Sequence, residues 1–210
     1  MATELESIVA PPTMRVGEPA WAIATLFPLQ GNWSEGDYFR LEAEKFVELV
    51  NGCIEVLPMP TWLHGEIALW FAEQLKSWNQ TAKLGGVIVA PVPLKLTSGI
   101  IREPDVFLVE RAPGAPRPDY PTSAVVVMEV VSAGNEARKR DFVDKRNDYA
   151  NAGIPEYWII DPLEKSVTVL KLKDATYEVH GRFDANQIAT SARLDGFTID
   201  CAKIWALEKE

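Results

Sequence analysis

The spacing of apolar side chains divides the chain into helices and short strands. From residue 62 to about residue 81 they recur every three or four positions, which predicts an amphipathic helix with one wide buried face: Leu63, Ile67, Trp70, Phe71, Leu75 and Trp78. Ser34 and Asp37 have the spacing of a capping pair and predict a short helix at 34–45. A more polar helix is predicted over 136–151.

Short apolar runs predict the strands. The runs 46–50 and 54–57 flank Asn51-Gly52, a dipeptide that tolerates positive φ, and this predicts a β-hairpin. The run 125–131 is almost wholly β-branched, which predicts a strand buried on both faces at the centre of a sheet. Further strands are predicted at 87–96, 104–109, 157–160 and 197–199, with an outer hairpin at 167–172 and 176–180.

The connections complete the architecture. Gly85-Gly86 predicts a turn after the long helix, and the proline-rich residues 110–121 predict an exposed loop. The element order predicts an α/β (α+β) domain, with a mixed central β-sheet flanked by helices and an extra β-hairpin. Neither GxGxxG nor GxxxxGK[ST] occurs, so the sequence does not support a dinucleotide fold or a Walker-type phosphate loop.

The first residues differ from the rest. Residues 1–20 contain three prolines and no periodicity, so we predict an N-terminal arm at 1–33 and one domain at 34–210. Three aromatic side chains lie near this arm: Trp21, Phe27 and Trp33. They predict a homodimer if the arm pairs two subunits, and the alternative is that they cap the core of the monomer.

Composition narrows the class of protein. Of 210 residues, 47% are hydrophobic and 24% charged, as in soluble globular proteins. The two cysteines form no CxxC motif, so a structural zinc site is not expected. The N-terminus is acidic rather than basic, and no apolar run reaches the roughly 18 residues of a membrane helix. We therefore predict a cytoplasmic protein.

The net charge of −9 argues against non-specific binding of nucleic acid, because affinity for phosphates comes from Lys and Arg. The charge is uneven along the chain. Residues 1–70 hold three basic and ten acidic residues, whereas residues 71–210 hold 18 basic and 20 acidic ones. A local basic face in the second part is therefore compatible with the composition.

Two acidic residues are candidates for chemistry. Asp105 follows Pro104 at the start of one predicted strand, and Glu129 lies inside an apolar one. A carboxylate in a central strand is costly unless it is compensated, and Mg²⁺, which favours one or two carboxylates plus water, is one compensation. The alternatives are that Asp105 is an ordinary strand-entry residue and that Glu129 pairs with a buried Lys or Arg.

The following helix supplies candidate cations. Asp141 and Lys145 are four residues apart and share a helix face with Tyr149. They form either a surface ion pair or a site in which Lys145 reaches the two carboxylates. Four further cations either follow a phosphate backbone or solvate the helix: Arg138, Lys139, Arg140 and Arg146.

Several segments together resemble the Uma-two family of restriction-endonuclease-like proteins, within the PD-(D/E)XK nuclease superfamily. They are ELVNGCIEVLPMPTWLH (48–64), PDVFLV (104–109), MEVVS (128–132), DFVDKRNDYANAGIPEYWIIDP (141–162) and LDGFTIDCAKIW (194–205). The resemblance covers residues 34–205. It implies a restriction-endonuclease-like core and an endonuclease that uses Mg²⁺ (or Mn²⁺) to hydrolyse phosphodiester bonds in DNA.

The resemblance also implies roles for individual residues. Asp105 and Glu129 would be metal ligands together with the backbone carbonyl of Val130. Glu48 would match a glutamate that assists the metal, and the alternative is an exposed charge on the hairpin. His64 stands where the family tends to show a histidine, which implies contact with metal or substrate, while a helix cap or a packing role is the alternative.

The sequence departs from the family pattern at one position. A lysine usually stands two places after the second acid, but Val131 occupies that place here. Lys145 is the candidate to replace it, and Lys139 is the second choice. The departure and the charge keep open a catalytically inactive nucleic-acid-binding or interaction module, and the aromatic side chains near the arm keep open a dimeric regulatory protein.

Overall fold

A computed structural model describes residues 27–41 and 47–209. The helices are α1 (Glu35–Arg40), α2 (Trp62–Ala82), α3 (Asn135–Lys139), α4 (Lys145–Asn151) and α5 (Cys201–Ala206); a π-helical turn (Arg140–Asp144) joins α3 to α4, and a 3₁₀ turn (Leu207–Lys209) follows α5. The strands are β1 (Val47–Val50), β2 (Cys53–Val56), β3 (Gly85–Val89), β4 (Leu94–Lys95), β5 (Ile100–Arg102), β6 (Val106–Glu110), β7 (Val126–Val130), β8 (Glu156–Asp161), β9 (Ser166–Lys173), β10 (Thr176–Asp184), β11 (Ile188–Thr190) and β12 (Thr198–Asp200).

A six-stranded mixed sheet forms the centre, in the order β10-β9-β8-β7-β6-β3. Strands β7 and β8 run parallel, whereas the other neighbouring pairs are antiparallel. Helix α2 packs on one face and α4 on the other, so the predicted mixed sheet flanked by helices is confirmed. Among the described residues, no helix combines the length and apolar character needed to span a bilayer.

Strand β7 lies between β6 and β8, and all five of its residues are buried. Met128 and Val130 pack in the cluster that contains α2, while Val127 packs with Tyr149 of α4. Side chains alternate between the faces of a strand, so Glu129 belongs to the α4 face. The predicted central strand is therefore confirmed, and its one acidic side chain is directed toward the following helix.

The predicted extra hairpin is half of a larger unit. Strands β1 and β2 pair around Asn51 and Gly52, which have φ of 49° and 77°, as an Asn-Gly turn requires. They extend into a four-stranded sheet, β2-β1-β5-β4. A strand of three residues is too short to show alternation, so the sequence pattern did not reveal β5.

Two predictions at element boundaries were wrong. The first helix ends at Arg40 rather than at 45, because Leu41 is already extended. Gly85 and Gly86 begin β3 instead of forming a turn; the long helix ends at Ala82 and is followed by Lys83, which is left-handed. A Cβ on Gly85 would overlap the carbonyl oxygen of Val109 in the neighbouring strand, so this glycine permits close strand approach.

The strand predicted at 87–96 is interrupted. It divides into β3 and β4, which belong to different sheets. Pro91 and Pro93 stand between them, and proline cannot donate a hydrogen bond to a neighbouring strand.

Part of the predicted arm lies against the hairpin. Gly31 and Trp33 donate backbone hydrogen bonds of 2.8 Å and 3.0 Å to the carbonyl of Gly52, and Phe27 stacks on Trp33 at 5.9 Å. Trp33 also packs against the small core of the second sheet. Trp21 lies outside the described residues, and the homodimer stays a prediction.

Candidate active site

Asp105 and Glu129 face each other across the edge of the central sheet. Antiparallel β6 and β7 pair Val106 with Met128 and Phe107 with Val127. One further step in this register places Asp105 opposite Glu129, and both share the face of Phe107 and Val127. The two predicted acids are therefore brought together on one face.

Asp105 is held by two hydrogen bonds. His64 Nε2, in the first turn of α2, donates to Oδ1 at 3.0 Å, and the backbone N–H of Val130 donates to Oδ2 at 2.8 Å. The C=O of a strand residue points to the same side as its N–H, so the Val130 carbonyl is also directed toward Asp105. Thr61, and not His64, is the N-cap of α2: its hydroxyl oxygen accepts from the backbone N–H of His64.

Glu129 is buried and receives two hydrogen bonds from the following helix. Lys145 Nζ donates to Oε1 at 2.8 Å, and the Tyr149 hydroxyl donates to the same oxygen at 2.6 Å. The pairing with a buried lysine that the sequence allowed is present. It satisfies one carboxylate oxygen and places an ammonium group beside the acid pair.

The π-helical turn keeps the buried residues of this helix in line. The residues at four-position spacing are all buried: Ala137, Asp141, Lys145 and Tyr149. In a continuous α-helix each such step would rotate the side chain by about 40°. A turn with more residues per revolution offsets this drift, so polar groups along the helix meet one edge of the sheet.

Lys145 also contacts Glu48, at 3.1 Å from Nζ to Oε1. Glu48 accepts from Arg102 Nη1 at 2.7 Å and from the backbone N–H of Glu103 at 2.9 Å. It is fully buried in β1, so the alternative of an exposed hairpin charge is wrong. Its two oxygens are occupied by protein donors.

The site has more acidic than basic groups. Burial, and then repulsion from Asp105, Asp141 and Glu48, raises the pKa of Glu129 to about 8 although Lys145 opposes this. Burial likewise raises the pKa of Asp141 to about 6, against the attraction of Lys145 and Arg140. The cluster would therefore gain from one more cation.

Two groups shift in the opposite sense. Burial disfavours ionised Asp105, but the hydrogen bond and charge of His64 outweigh it, so the pKa of Asp105 is lowered. Burial alone would lower the pKa of Lys145, but Glu129, Glu48 and further carboxylates raise it well above its usual range. Lys145 therefore stays an ammonium group.

A cavity of ≈ 270 Å³ opens above these groups. Its polar wall is formed by His64, Asp105, Asp141, Lys145 and Arg140, with Val130 and Ser132 beside them. Most of its other lining residues are apolar, among them Leu57, Pro60 and Leu69. A reacting group in this cavity would therefore meet both charged and apolar side chains.

The four predicted basic residues do not form one surface. Arg140 lines the cavity, whereas Arg138 pairs with Asp161 at 2.6 Å. Lys139 Nζ lies 3.7 Å from Asp144 Oδ2, and Arg146 donates to the Tyr177 carbonyl at 2.8 Å. Of the two candidate lysines, Lys145 is thus the one that contacts Glu129.

Sequence reasoning missed or misjudged several residues of the site. Asp141 was weighed as half of a surface ion pair, but it is buried and lines the cavity; its place in the four-residue repeat was the available signal. Arg102 was missed, although an arginine directly after Ile100 and Ile101 is unusual in a short apolar run. Glu103 and Ser132, which also line the cavity, carried no distinctive signal.

The donor set fits a magnesium-type ion better than zinc. In the described part of the chain, no three His, Cys, Asp or Glu side chains converge as a ready-made metal cage. Mg²⁺ needs no such cage, since it binds through one or two carboxylates and completes its shell with water and substrate oxygens. Asp105, Glu129 and the Val130 carbonyl are hard oxygen donors in a cluster with excess negative charge, which suits that ion.

A mixed sheet flanked by helices, with two acids at the edge of adjacent strands and a lysine from the next helix, defines a nuclease-like fold of the restriction-endonuclease type. Comparison with family models agrees: residues 36–202 match Uma2, described as "Putative restriction endonuclease". The chain belongs to the Uma2 family, as its resemblance implied.

A solved structure shares the fold. It is described as a "putative nuclease belonging to DUF820" from Anabaena variabilis, and the match has a TM-score of 0.68 at 15% identity. The match covers 83% of this chain and 98% of the other. Comparison with curated proteins gives no match.

Proposed function

We propose that this protein is an endonuclease that uses Mg²⁺ or Mn²⁺ to hydrolyse phosphodiester bonds in DNA. One observation carries the proposal: Asp105 and Glu129 occupy facing positions on one side of the sheet, with Lys145 Nζ 2.8 Å from Glu129 Oε1. Membership of a family described as restriction endonucleases supports the same reaction class.

Asp105, Glu129 and the Val130 carbonyl would hold the cation. When bound, it supplies polarisation of the scissile phosphate and a lower pKa for a coordinated water. The protein contributes the orientation of these ligands. The His64 and Val130 hydrogen bonds fix the Asp105 carboxylate, and Lys145 and Tyr149 fix that of Glu129.

Lys145 acts as a positive charge rather than as a base. Its raised pKa keeps it protonated at neutral pH. A fixed ammonium at the cavity wall stabilises negative charge that develops on the phosphate in the transition state. Glu48, which holds Lys145 and is itself held by Arg102, is better suited to position this lysine than to bind metal.

Asp141 is suited to accept a proton from the attacking water. It lines the cavity beside Lys145, and its pKa near 6 leaves it ionised at neutral pH yet basic enough to take a proton. In this assignment Asp105 and Glu129 hold the cation, and Asp141 receives the proton.

The test compares cleavage of plasmid and linear DNA with and without Mg²⁺ or Mn²⁺. Glu129→Gln and Asp105→Asn keep the size of the side chain but remove its charge, and each is expected to reduce cleavage by about a hundredfold. Glu164→Gln, on an exposed loop, is the matched control and should cleave normally. Full activity of Glu129→Gln would overturn the proposal.

A catalytically inactive nucleic-acid-binding module is the second candidate. Val131 stands where the family usually has a lysine, and both Glu48 and Glu129 hold the replacement Lys145. Titration with Mn²⁺ by calorimetry separates the two. A protein that binds DNA but shows no affinity for Mn²⁺ would belong to this class.

A further inference from the structure

Two cavities meet beside the acidic cluster. The first, of ≈ 270 Å³, contains Asp105 and Lys145. The second, of ≈ 400 Å³, is lined by Gly134 and Pro162 among others. They share Pro58, His64 and Ser132 as lining residues. The two cavities therefore adjoin at His64 and form one groove with two compartments.

Each compartment combines an apolar wall with one arginine. Leu57, Pro60 and Leu69 line the first, and Arg140 stands at its polar side. Met59, Leu63 and Leu163 line the second, where Arg138 is paired with Asp161. The apolar surfaces suit the bases of a nucleic-acid strand, and the partly exposed arginines suit its phosphates.

Large apolar side chains are also exposed near the groove and are called the apolar rim below; Met59 and Leu163 line the second compartment. Trp62 is 84% exposed, Leu163 78% and Met59 75%. Trp62 opens α2 and stands seven residues before Leu69 of the first compartment, so the two share one helix face. Exposed apolar groups clustered at a cavity mouth mark a binding surface rather than ordinary solvent-facing positions.

The distribution of basic side chains argues against tight binding of duplex DNA. Duplex binding draws its affinity from many Lys and Arg contacts to phosphates, and the candidate track is broken because Arg146 donates to the Tyr177 carbonyl and Arg138 pairs with Asp161. Glu129 and Lys145 are each 3% exposed, so the reacting phosphate must enter the cavity. A flexible single strand can enter in this way, and its bases can stack on apolar and aromatic side chains.

We propose that the groove binds one unpaired nucleic-acid strand, with the nucleotides on either side of the reacting phosphate placed in the two compartments and a base stacked on Trp62. This inference rests on the proposed function, because it takes the phosphate to lie at the acidic cluster. It makes the substrate a single strand or an unpaired region, recognised without reading sequence in a duplex groove.

The test measures binding separately from cleavage. Fluorescence anisotropy follows a labelled oligo-dT, and the same strand annealed to oligo-dA, on the full-length Glu129→Gln variant. The single strand is expected to bind about tenfold more tightly than the duplex. Trp62→Ala, added to that variant, should weaken single-strand binding about five- to tenfold, while Trp62→Phe should restore most of it. Ile188→Ala, an exposed apolar residue on β11, is the control and should change nothing.

The outcomes separate the two proposals. Tight binding of the single strand by a protein whose unsubstituted form cleaves nothing would support this groove and refute the nuclease. Cleavage of duplex DNA that Trp62→Ala leaves unchanged would support the nuclease and refute this groove. Light scattering that shows a dimer, with Trp62→Ala releasing monomers, would assign the apolar rim to a second copy and also overturn the inference.

Discussion

Glu129 is the acidic residue whose surroundings most clearly mark the site. Its side chain lies inside the central strand, where an unpaired carboxylate would cost several kcal/mol. Lys145 and Tyr149 stabilise it, yet burial, together with three neighbouring carboxylates, raises its pKa to about 8. Such a perturbed acid beside a cavity is typical of a functional site rather than of a structural ion pair.

The raised pKa predicts how metal affinity depends on pH. Below about pH 8 Glu129 holds a proton that a cation must displace, so the affinity for Mn²⁺ should rise by about tenfold per pH unit from pH 6 to pH 8 and then level off. Titration calorimetry in buffers of different ionisation enthalpy measures the affinity and the released proton together. Glu129→Gln should abolish this release, and an affinity independent of pH in the unsubstituted protein would contradict the assignment.

At the scale of elements, the π-helical turn brings helix and sheet into register at the site. Single π turns inside α-helices occur frequently at functional sites, because they cost stability and persist where they place side chains. Here the turn precedes Lys145 and includes Asp141. The helix could form without it, but its four buried positions would then rotate away from one line.

Deletion of Val143, an exposed residue within the turn, tests its role. The deletion should convert the turn into a continuous α-helix and misalign Asp141 relative to Lys145. We expect Mn²⁺ affinity to fall about ten- to a hundredfold while unfolding in urea stays cooperative. Val143→Ala keeps the chain length and serves as the control; equal affinity in the deletion variant would show that the turn has no such role.

Arg102 joins the second sheet to the site. From β5 it contacts Glu48 of β1 at 2.7 Å, Glu55 of β2 at 2.9 Å and Asp148 of α4 at 2.7 Å. Glu48 in turn contacts Lys145. The second sheet therefore reaches the acidic cluster through a buried chain of alternating charges.

Arg102→Met should lower the free energy of unfolding by about 3–5 kcal/mol, since buried Glu48 keeps only Lys145 as a cation and half-buried Asp148 loses its partner. Urea denaturation followed by tryptophan fluorescence measures the change. Arg40→Met removes an exposed pair with Asp37 and should cost less than about 1 kcal/mol. Equal effects of the two substitutions would show that the Arg102 network is not energetically important.

At the scale of the whole molecule, the net charge disfavours binding of nucleic acid, whereas the proposed reaction requires it. A charge of −9 repels polyanions, yet the proposed substrate is one. Among the described Lys and Arg residues, only Arg138, Arg140 and Lys145 line the two cavities, so few charges there can attract phosphates. Affinity must then come mainly from the apolar walls and from the bound cation.

This distribution predicts weak dependence on salt. With two or three phosphate contacts, a plot of log affinity for oligo-dT against log salt concentration should have a slope of about −2. Anisotropy titrations between about 50 and about 200 mM salt measure it. Arg140→Gln should make the slope shallower by just under one, and a slope several times steeper would reveal a basic surface that the described residues do not show.

Much of the fold could be predicted from the sequence, because its longer elements carry a strong local signal. The 3.6-residue period gave the long helix, the β-branched run gave β7, and Asn51-Gly52 gave the hairpin. Two elements were predicted wrongly or not at all. Strand β5 is too short for a pattern, and Gly85 was misjudged as a turn residue because its role depends on the neighbouring strand.

The sequence by itself determined which residues were candidates for a catalytic site: Asp105, Glu129 and a helix carrying Lys145. Tertiary structure decided which groups meet, because contacts between residues distant in the chain depend on strand register and helix rotation rather than on local pattern. It buried Glu48 and Asp141 beside the pair, paired Arg146 with the Tyr177 carbonyl, and placed two cavities side by side at His64.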